Sequence, residues 1–438
     1  MRIALVNSRQ DKAGLNIRHH IEELLGEGGN GEWQIAGRSY VFHDVEERLI
    51  HAERIDAGID ADLLIFLSRH SSENPVPVLT VHVTGNYGPA ALGGSARTLA
   101  PAAPAMMQAT LRALARHCPE GYRVSYEVTH HGPTDMVTPS FFVEIGSTEK
   151  EWTDPVAGRA VAESVLSAVP QDPVPLIGFG GTHYAARETE IALTSRGAFG
   201  HIAHTREVPG LDEEMVRAMR EQSGAAAAYI DRKALDREVL NRITGMLESL
   251  QIPRLSESEI HALGHLPWDM YSRIRAMAES VSPKARCYIH ALEGTGTPVL
   301  VRANPVLIAE TVKSDEPGFI KMLDSLPLVH LSTPESSLLP EFITFSGNIP
   351  EIINDLNTLC VKIIRSKEIT ATEREYLIIT KVRFDPRKAR ELGIPPGPSY
   401  RELAGGRPVA IDGRTITPEM VSSRSEIRIH IPGLEKFS

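Results

Sequence analysis

The sequence predicts an α/β domain built on a mostly parallel sheet flanked by helices, followed by a smaller α+β domain. Three observations carry that reading. Apolar runs of strand length alternate with helix-periodic segments through the first half of the 438-residue chain. Several runs are continuously apolar and end in polar residues, as strands buried on both faces of a parallel sheet do. Helical periodicity takes over past residue 205, and past Pro253 the texture changes again.

The elements follow in order. RIALVNS (2–8) reads as a buried first strand, and KAGLNIRHHIEELL (12–25) has apolar spacing near 3.6. DLLIFLSRH (62–70) and VLTVHVTGN (78–86) are strands with polar tips. PAMMQATLRALARHC (104–118) is a helix with Pro104 near its start, where a missing N–H costs nothing. RVSYEVTHHG (123–132) and SFFVEIGST (140–148) are strands, and GRAVAESVLSAV (158–169) is a helix. VPLIGFGGTHYA (174–185) is a strand opening into a glycine-rich turn. Two helices follow, within 209–223 and 232–250. SESEIHALGHLPWDMYSRIRAMAESV (256–281) opens the second unit, where 342–364 and 374–384 are strand and helix material. The boundary is placed within 250–256, giving domains 1–252 and 253–438.

With 42% hydrophobic and 23% charged residues, the chain has ordinary globular composition. Its start has no basic segment leading into a long apolar one, so no signal peptide is expected. No apolar run approaches the ~18 residues of a membrane span. Cys118, Cys287 and Cys360 lie far apart and form neither a disulfide framework nor a sulfur-rich zinc site. A monomer in a reducing cytoplasm, with no obligate protein partner, is the simplest expectation. The net charge of −10 argues against a general nucleic-acid binder. Residues 361–390, however, hold nine Lys/Arg against four Asp/Glu, either a solvated surface or a face for RNA.

The chemistry gathers at strand tips. Five of them place His, Ser, Thr, Glu or Gly at or beside the end of an apolar run, among them His70, His82, His130, His131 and His183. In open α/β sheets ligands bind outside the carboxyl ends of strands. Glu144, inside the apolar run 141–145, is costly to bury as an ion unless it is paired or binds a cation. On an alternating strand it would instead face solvent. Histidine, carboxylate and hydroxyl groups suit general-base hydrolysis, or a metal that activates water. The serine-hydrolase elbow and the phosphate loop are missing, and Gly178–His183 is a truncated dinucleotide turn. His201 and His204 have the spacing of one helical face, though a structural role is the favoured reading, with His201 the more interesting of the two. His261/His265 and His19/His20 read as structural or surface pairs.

SRHSS, LTVHVTGN, THHGPT, FFVEIGSTEKEW and GFGGTHYA, in this order, resemble the D-aminoacyl-tRNA deacylases of the archaeal and plant type over residues 1–250. The motifs fall on Ser68, Arg69, His70, Ser71 and Ser72; on His82, Thr84, Gly85 and Asn86; on His130, His131, Gly132 and Thr134; on Glu144, Gly146, Ser147, Glu149 and Trp152; and on Gly180, Gly181, His183 and Tyr184. The resemblance implies hydrolysis of the ester joining a D-amino acid to tRNA, a fold similar to the phosphorylase and peptidyl-tRNA hydrolase-like group, and zinc. It puts catalytic roles on His82, Thr84, His130, His131, Glu144 and His183. Substrate contacts are expected from Ser68, His70, Asn86, Gly132, Gly146, Ser147, Gly180, Gly181 and Tyr184, and a metal on His130, His131, Glu144 and His183. Residues 389–421 are similar to a segment near the end of tRNase Z, whose HxHxDH motif is absent. With the basic run before it, 361–421 becomes a candidate tRNA-contacting segment, with Arg387 and Lys388 as phosphate contacts. A peptidyl-tRNA hydrolase-like enzyme and a non-catalytic tRNA 3′-end binding factor are the competing readings.

Overall fold

The computed structural model describes residues 1–26, 31–35, 37–72, 75–411 and 413–437. They form two compact units, Met1–His265 and Leu266–Ser438.

In the first unit, strands β1 (Arg2–Ser8), β2 (Glu32–Ile35), β3 (Arg38–Val45), β4 (Leu63–Arg69) and β5 (Val78–His82) precede the short pair β6 (Gly85–Asn86) and β7 (Thr98–Leu99). β8 (Arg123–Tyr126) and β9 (Ser140–Gly146) complete a seven-stranded sheet of order β2-β3-β1-β4-β9-β5-β8. Helix α1 (Lys12–Leu25) starts where the Asp11 carboxylate accepts the N–H groups of Ala13 and Gly14. It lies so close to β4 that a Cβ on Gly14 would stand 2.4 Å from the Leu67 carbonyl oxygen. Helices α2 (Pro104–His117), α3 (Glu149–Trp152) and α4 (Pro155–Ser167) follow. The opposite face of the sheet is closed by loops, through Leu49, Ala100 and Met136 packed on Phe66 and Phe142.

A second sheet of order β11-β10-β12-β13 is parallel throughout, formed by β10 (Val174–Phe179), β11 (Gly197–Ala203), β12 (Ala227–Ile230) and β13 (Arg254–Leu255). Around it stand α5 (Ala186–Thr194), α6 (Glu213–Ser223), α7 (Arg237–Ser249) and α8 (Glu257–Ala262). The N–H groups of Val128 and Thr129 tie the two sheets together through the carbonyls of His183 and Ile202, at 3.0 and 2.9 Å.

Three expectations are corrected. The sheet is mostly parallel, as expected, but β5 runs antiparallel to β9, so the His82 tip points opposite to the tips of β4 and β9. The first unit reaches His265 rather than residue 252, because β13 pairs with β12 and α8 packs on α5. His201 lies on a strand, β11, not on a helix.

The second unit is α+β. α9 (Trp268–Val281), α10 (Pro305–Leu323) and α11 (Ile349–Lys367) accompany an antiparallel sheet of β14 (Arg286–Ile289), β15 (Pro298–Arg302), β16 (Val329–Ser332) and β17 (Leu338–Phe345). β19 (Tyr376–Phe384) pairs on one side with β18 (Ile369–Glu373) and on the other with the last strand of the unit, Ser422–His430. The intervening α12 (Pro386–Glu391), α13 (Pro398–Ala404) and a hairpin of Val409–Ile411 with Arg414–Ile416 enclose a small core of Ala389, Ile394, Leu403, Ile416 and Val421.

Candidate active site

The site is built on a face of the mixed sheet, not beyond its carboxyl edge. Ser68 of β4 stands opposite Glu144 of β9, which stands opposite Thr80 of β5. Ladder partners share a face, and so does the residue two further along. His82 therefore joins Glu144. Past β8 the chain stays beside β5, with the Glu127 N–H donating to the Val81 carbonyl at 3.1 Å and Thr84 bridging to His130. His70 follows β4 and packs on Gly146, where a Cβ would lie 2.7 Å from the His70 Cβ. His183 arrives on the turn after β10, where Gly180 and Gly181 have φ of +109° and +88°, the region that glycine enters without strain.

Glu127 sits at the centre. Its carboxylate lies 3.0 Å from His70 Nδ1, 3.1 Å from His183 Nε2 and 3.5 Å from His130 Nε2. Glu144 lies 3.7 Å from both His70 Nδ1 and His82 Nε2. The His82 and His130 rings stack at 4.3 Å, and His131 stands edge-on to both. Nδ1 of His82, His130 and His131 each faces a backbone carbonyl, of Val83, Val128 and Gly132, at 3.3, 2.7 and 2.6 Å. A carbonyl only accepts, so Nδ1 carries a proton in all three rings, and whichever ring is neutral has its lone pair on Nε2. One ring nitrogen from each of the three lies within 4.8 Å of the other two.

Burial dominates the electrostatics. Burial and the neighbouring His82 bring the His130 pKa down to about 4, and burial with His130 holds His131 well below its usual value. Burial also opposes a charged His70, but Glu127 and Glu144 outweigh it and push the pKa up to about 11. Glu144 raises His82 against the same penalty. Both carboxylates are held below the ordinary range: burial opposes this, and His183 and His70 at Glu127, or His70 and His82 at Glu144, overcome it. The protein alone thus holds paired charges on His70, His82 and the two glutamates, and leaves His130 and His131 neutral.

The site opens into a cavity of about 240 Å³ lined by Ser8, Gln10, Arg48, Arg69, His70, His130, His131, Glu144 and His183, among others. Tyr184 reaches it through its hydroxyl, 3.1 Å from His70 Nε2. Several expected site residues hold loops instead. The buried Thr84 hydroxyl donates to the Pro133 carbonyl at 2.6 Å. The Asn86 amide bonds the carbonyls of Gly93 and Ser95, and Ser147 donates to that of Val76. Ser68 does line the cavity, and its hydroxyl donates to Asp11, whereas a Cβ on Gly132 would stand 2.4 Å from the Gly94 nitrogen. The Gly180 N–H is bonded to the Ala203 carbonyl, so it cannot serve as an oxyanion donor. Arg387 and Lys388 belong to α12 of the second unit, where Lys388 donates to the Ser422 carbonyl at 2.7 Å.

The expected metal set does not form one coordination sphere. His130 and His131 converge with His82; His183 converges with His70 and Glu127; Glu144 converges with His82 and Glu127. Sequence reasoning missed Glu127, although a carboxylate three residues before His130 in an apolar stretch is the signal that singled out Glu144. It also missed Arg48 and the helix cap Asp11. His201 is buried between the Thr129 hydroxyl and the Ala100 carbonyl, at 3.1 and 2.9 Å, and burial brings its pKa down to about 4. His261 and His265 lie outside the cavity lining.

Residues 57–255 match the family model for D-aminoacyl-tRNA deacylase. The chain is 63% identical to a D-aminoacyl-tRNA deacylase of Methanoregula boonei, over the full length of both. The chain belongs to the D-aminoacyl-tRNA deacylase family. A member from Methanoculleus marisnigri is 54% identical, also over both full lengths. One from Methanosarcina mazei is 40% identical, and the match takes in 59% of this chain and 93% of that one. A crystal structure titled as a conserved protein of unknown function aligns with a TM-score of 0.55 and 33% identity, covering 59% of this chain and 96% of its own. Shorter members of the family thus lack a counterpart to a large part of this chain.

Proposed function

We propose that the cavity hydrolyses the ester between a D-amino acid and the terminal ribose of tRNA, releasing the amino acid and free tRNA. The observation that carries this reading is that the neutral imidazoles of His130 and His131 share one cavity wall with the buried Glu144, while the buried Glu127 stands against His130 and His183. An aminoacyl ester is already labile, so a positioned water and a general base suffice to accelerate it. His130 is the candidate base: it lines the cavity and stays uncharged at neutral pH. Glu127, 3.5 Å from its Nε2, stabilises the imidazolium that forms when the proton is taken. Arg48 and Arg69 line the same cavity, where guanidinium groups suit the phosphates of an incoming 3′ end.

Zinc fits the residues present. Both Glu127 oxygens and His82 Nε2 are buried with no hydrogen-bond partner among the described residues, although the oxygens lie close to ring nitrogens. Such orphaned acceptors suit a cation. We infer that His82, His130 and His131 would hold it through Nε2, with their Nδ1–H groups fixed by backbone carbonyls; the His130 lone pair is then committed to the ion, and Glu127 beside it, 3.5 Å from His130 Nε2, takes over as the candidate base. Bound there, zinc would lower the pKa of a water and polarise the ester carbonyl.

The C-terminal segment 361–421 is proposed as a tRNA contact. Arg374, Arg383, Arg387, Lys388 and Arg390 are exposed, whereas Lys381 is tied to Glu310 and Glu368. A monomer in the cytoplasm is proposed as the simplest setting for an enzyme that acts on tRNA; among the described residues no helix is long and apolar enough to cross a membrane. The fold kinship with the peptidyl-tRNA hydrolase-like group is proposed on the α/β layering alone. The discriminating test is hydrolysis of D-tyrosyl-, L-tyrosyl- and N-acetyl-aminoacyl-tRNA. Release from the first alone is expected. Release from the N-acetylated substrate would favour the peptidyl-tRNA reading, and no release from any would favour a binding factor.

A further inference from the structure

The second unit carries a second cluster of metal-ligating side chains. His290 follows β14, Asp324 caps the carboxyl end of α10, and His330 lies on β16. Tyr288 and His330 are ladder partners, and their rings stack at 4.7 Å and 4°. His290, two residues beyond Tyr288, lies on the same face. Three separate elements therefore aim at one point. His330 Nε2 lies 2.9 Å and His290 Nε2 3.3 Å from the same Asp324 oxygen.

We propose that His290, Asp324 and His330 bind a divalent transition-metal ion. Ligand atoms about 2.05 Å from a tetrahedral metal stand about 3.3 Å apart. The 3.3 Å pair already has that spacing, and the 2.9 Å pair needs a few tenths of an ångström of opening. All three ligand atoms lie within 4.8 Å of one another. Two imidazoles and one carboxylate select zinc, cobalt or nickel over calcium or magnesium, which take oxygen ligands. The end of α10 adds to the attraction, because carbonyl dipoles make a helix carboxyl terminus favourable for positive charge. His330 is buried, whereas His290 and Asp324 are 49% and 36% exposed at the side chain, so one side of the ion faces water. The ion would pin the end of α10 to β14 and β16. Since the cluster lies in the second unit, the site is independent of zinc at the deacylase cavity.

The test is metal counting on the full chain after equilibrium dialysis against zinc, with His290→Ala and Asp324→Asn beside the unmodified protein. Each variant is expected to bind one equivalent less, and to lose the part of the zinc-induced rise in melting temperature due to this site. Visible ligand-field bands of bound cobalt should fall in step. His290 is half exposed, so its replacement leaves the core intact. Equal metal content in the variants and the unmodified chain would overturn the proposal and leave an ordinary His–Asp–His hydrogen-bond network.

Discussion

Glu188 offers a sharp test of how burial sets charge in the first unit. It lies in the first turn of α5, is fully buried, and neither carboxyl oxygen meets a hydrogen-bond partner among the described residues. Burial, reinforced by Asp231, pushes its pKa from 4.5 up to about 8. The folded protein keeps the proton while the unfolded chain loses it near pH 4.5. Stability is therefore lost as pH rises between about 4.5 and about 8, the reverse of an ion-paired carboxylate. Each pH unit in that window costs about 1.4 kcal/mol. Glu188→Gln keeps the shape and removes the titration. Relative to the variant, the unmodified protein should lose about 3 kcal/mol at pH 7, against less than about 1 kcal/mol at pH 5. Burying the amide N–H groups adds a constant offset, so the pH dependence of the difference is the readout. Denaturant unfolding followed by the fluorescence of Trp33 and Trp152, with Trp268 reporting on the other unit, measures it from pH 5 to 9. Parallel curves for the two proteins would refute the reasoning.

Four further outcomes are expected. Glu127→Gln and His130→Ala should each cut turnover on D-tyrosyl-tRNA by roughly two to four orders of magnitude. Filter-binding affinity for tRNA should change little, because these groups meet the ester rather than the phosphates. Arg48→Ala should instead raise KM with little change in kcat, read from initial rates over a range of tRNA concentration. A chain ending at His265 should still deacylate a small aminoacyl-adenosine. Charge reversal at Arg387 and Lys388 in the full chain should weaken all tRNAs about equally and flatten the salt dependence of binding.

The strand tips were legible because a buried strand must end where its backbone meets polar groups. That pattern located His70, His82, His130, Glu144 and His183 around one site. It carries no sign of strand direction, so the reversal of β5 was invisible: an antiparallel neighbour shows the same apolar run and polar tip. Glu127 escaped notice because it ends a short run, RVSYE, where a charged residue reads as the first solvated position. Its burial depends on His70 and His183 arriving from other elements. Thr84 and Asn86 matched the family pattern, yet the sequence could not say that their polar groups would be taken by nearby loop carbonyls. His201 and His204 have helical spacing, but Gly200 lies so close to Ser223 of α6 that a Cβ would stand 2.4 Å from its hydroxyl. That close packing belongs to a strand running beneath a helix.

The reversal of β5 has a mechanical consequence. Glu144 and His82 project from neighbouring strands that run in opposite directions, joined by a continuous antiparallel ladder from Val78–Gly146 to His82–Phe142. Neither backbone can slide or tilt without breaking rungs on both sides of the pair. The spacing between this carboxylate and this imidazole is thus a property of the sheet itself, not of the loops that close over it. Loops can lengthen, shorten or change composition to admit a different amino acid, and Glu144 and His82 beneath them keep their separation. Selectivity and chemistry are written on different parts of the backbone, so one can drift while the other stays fixed.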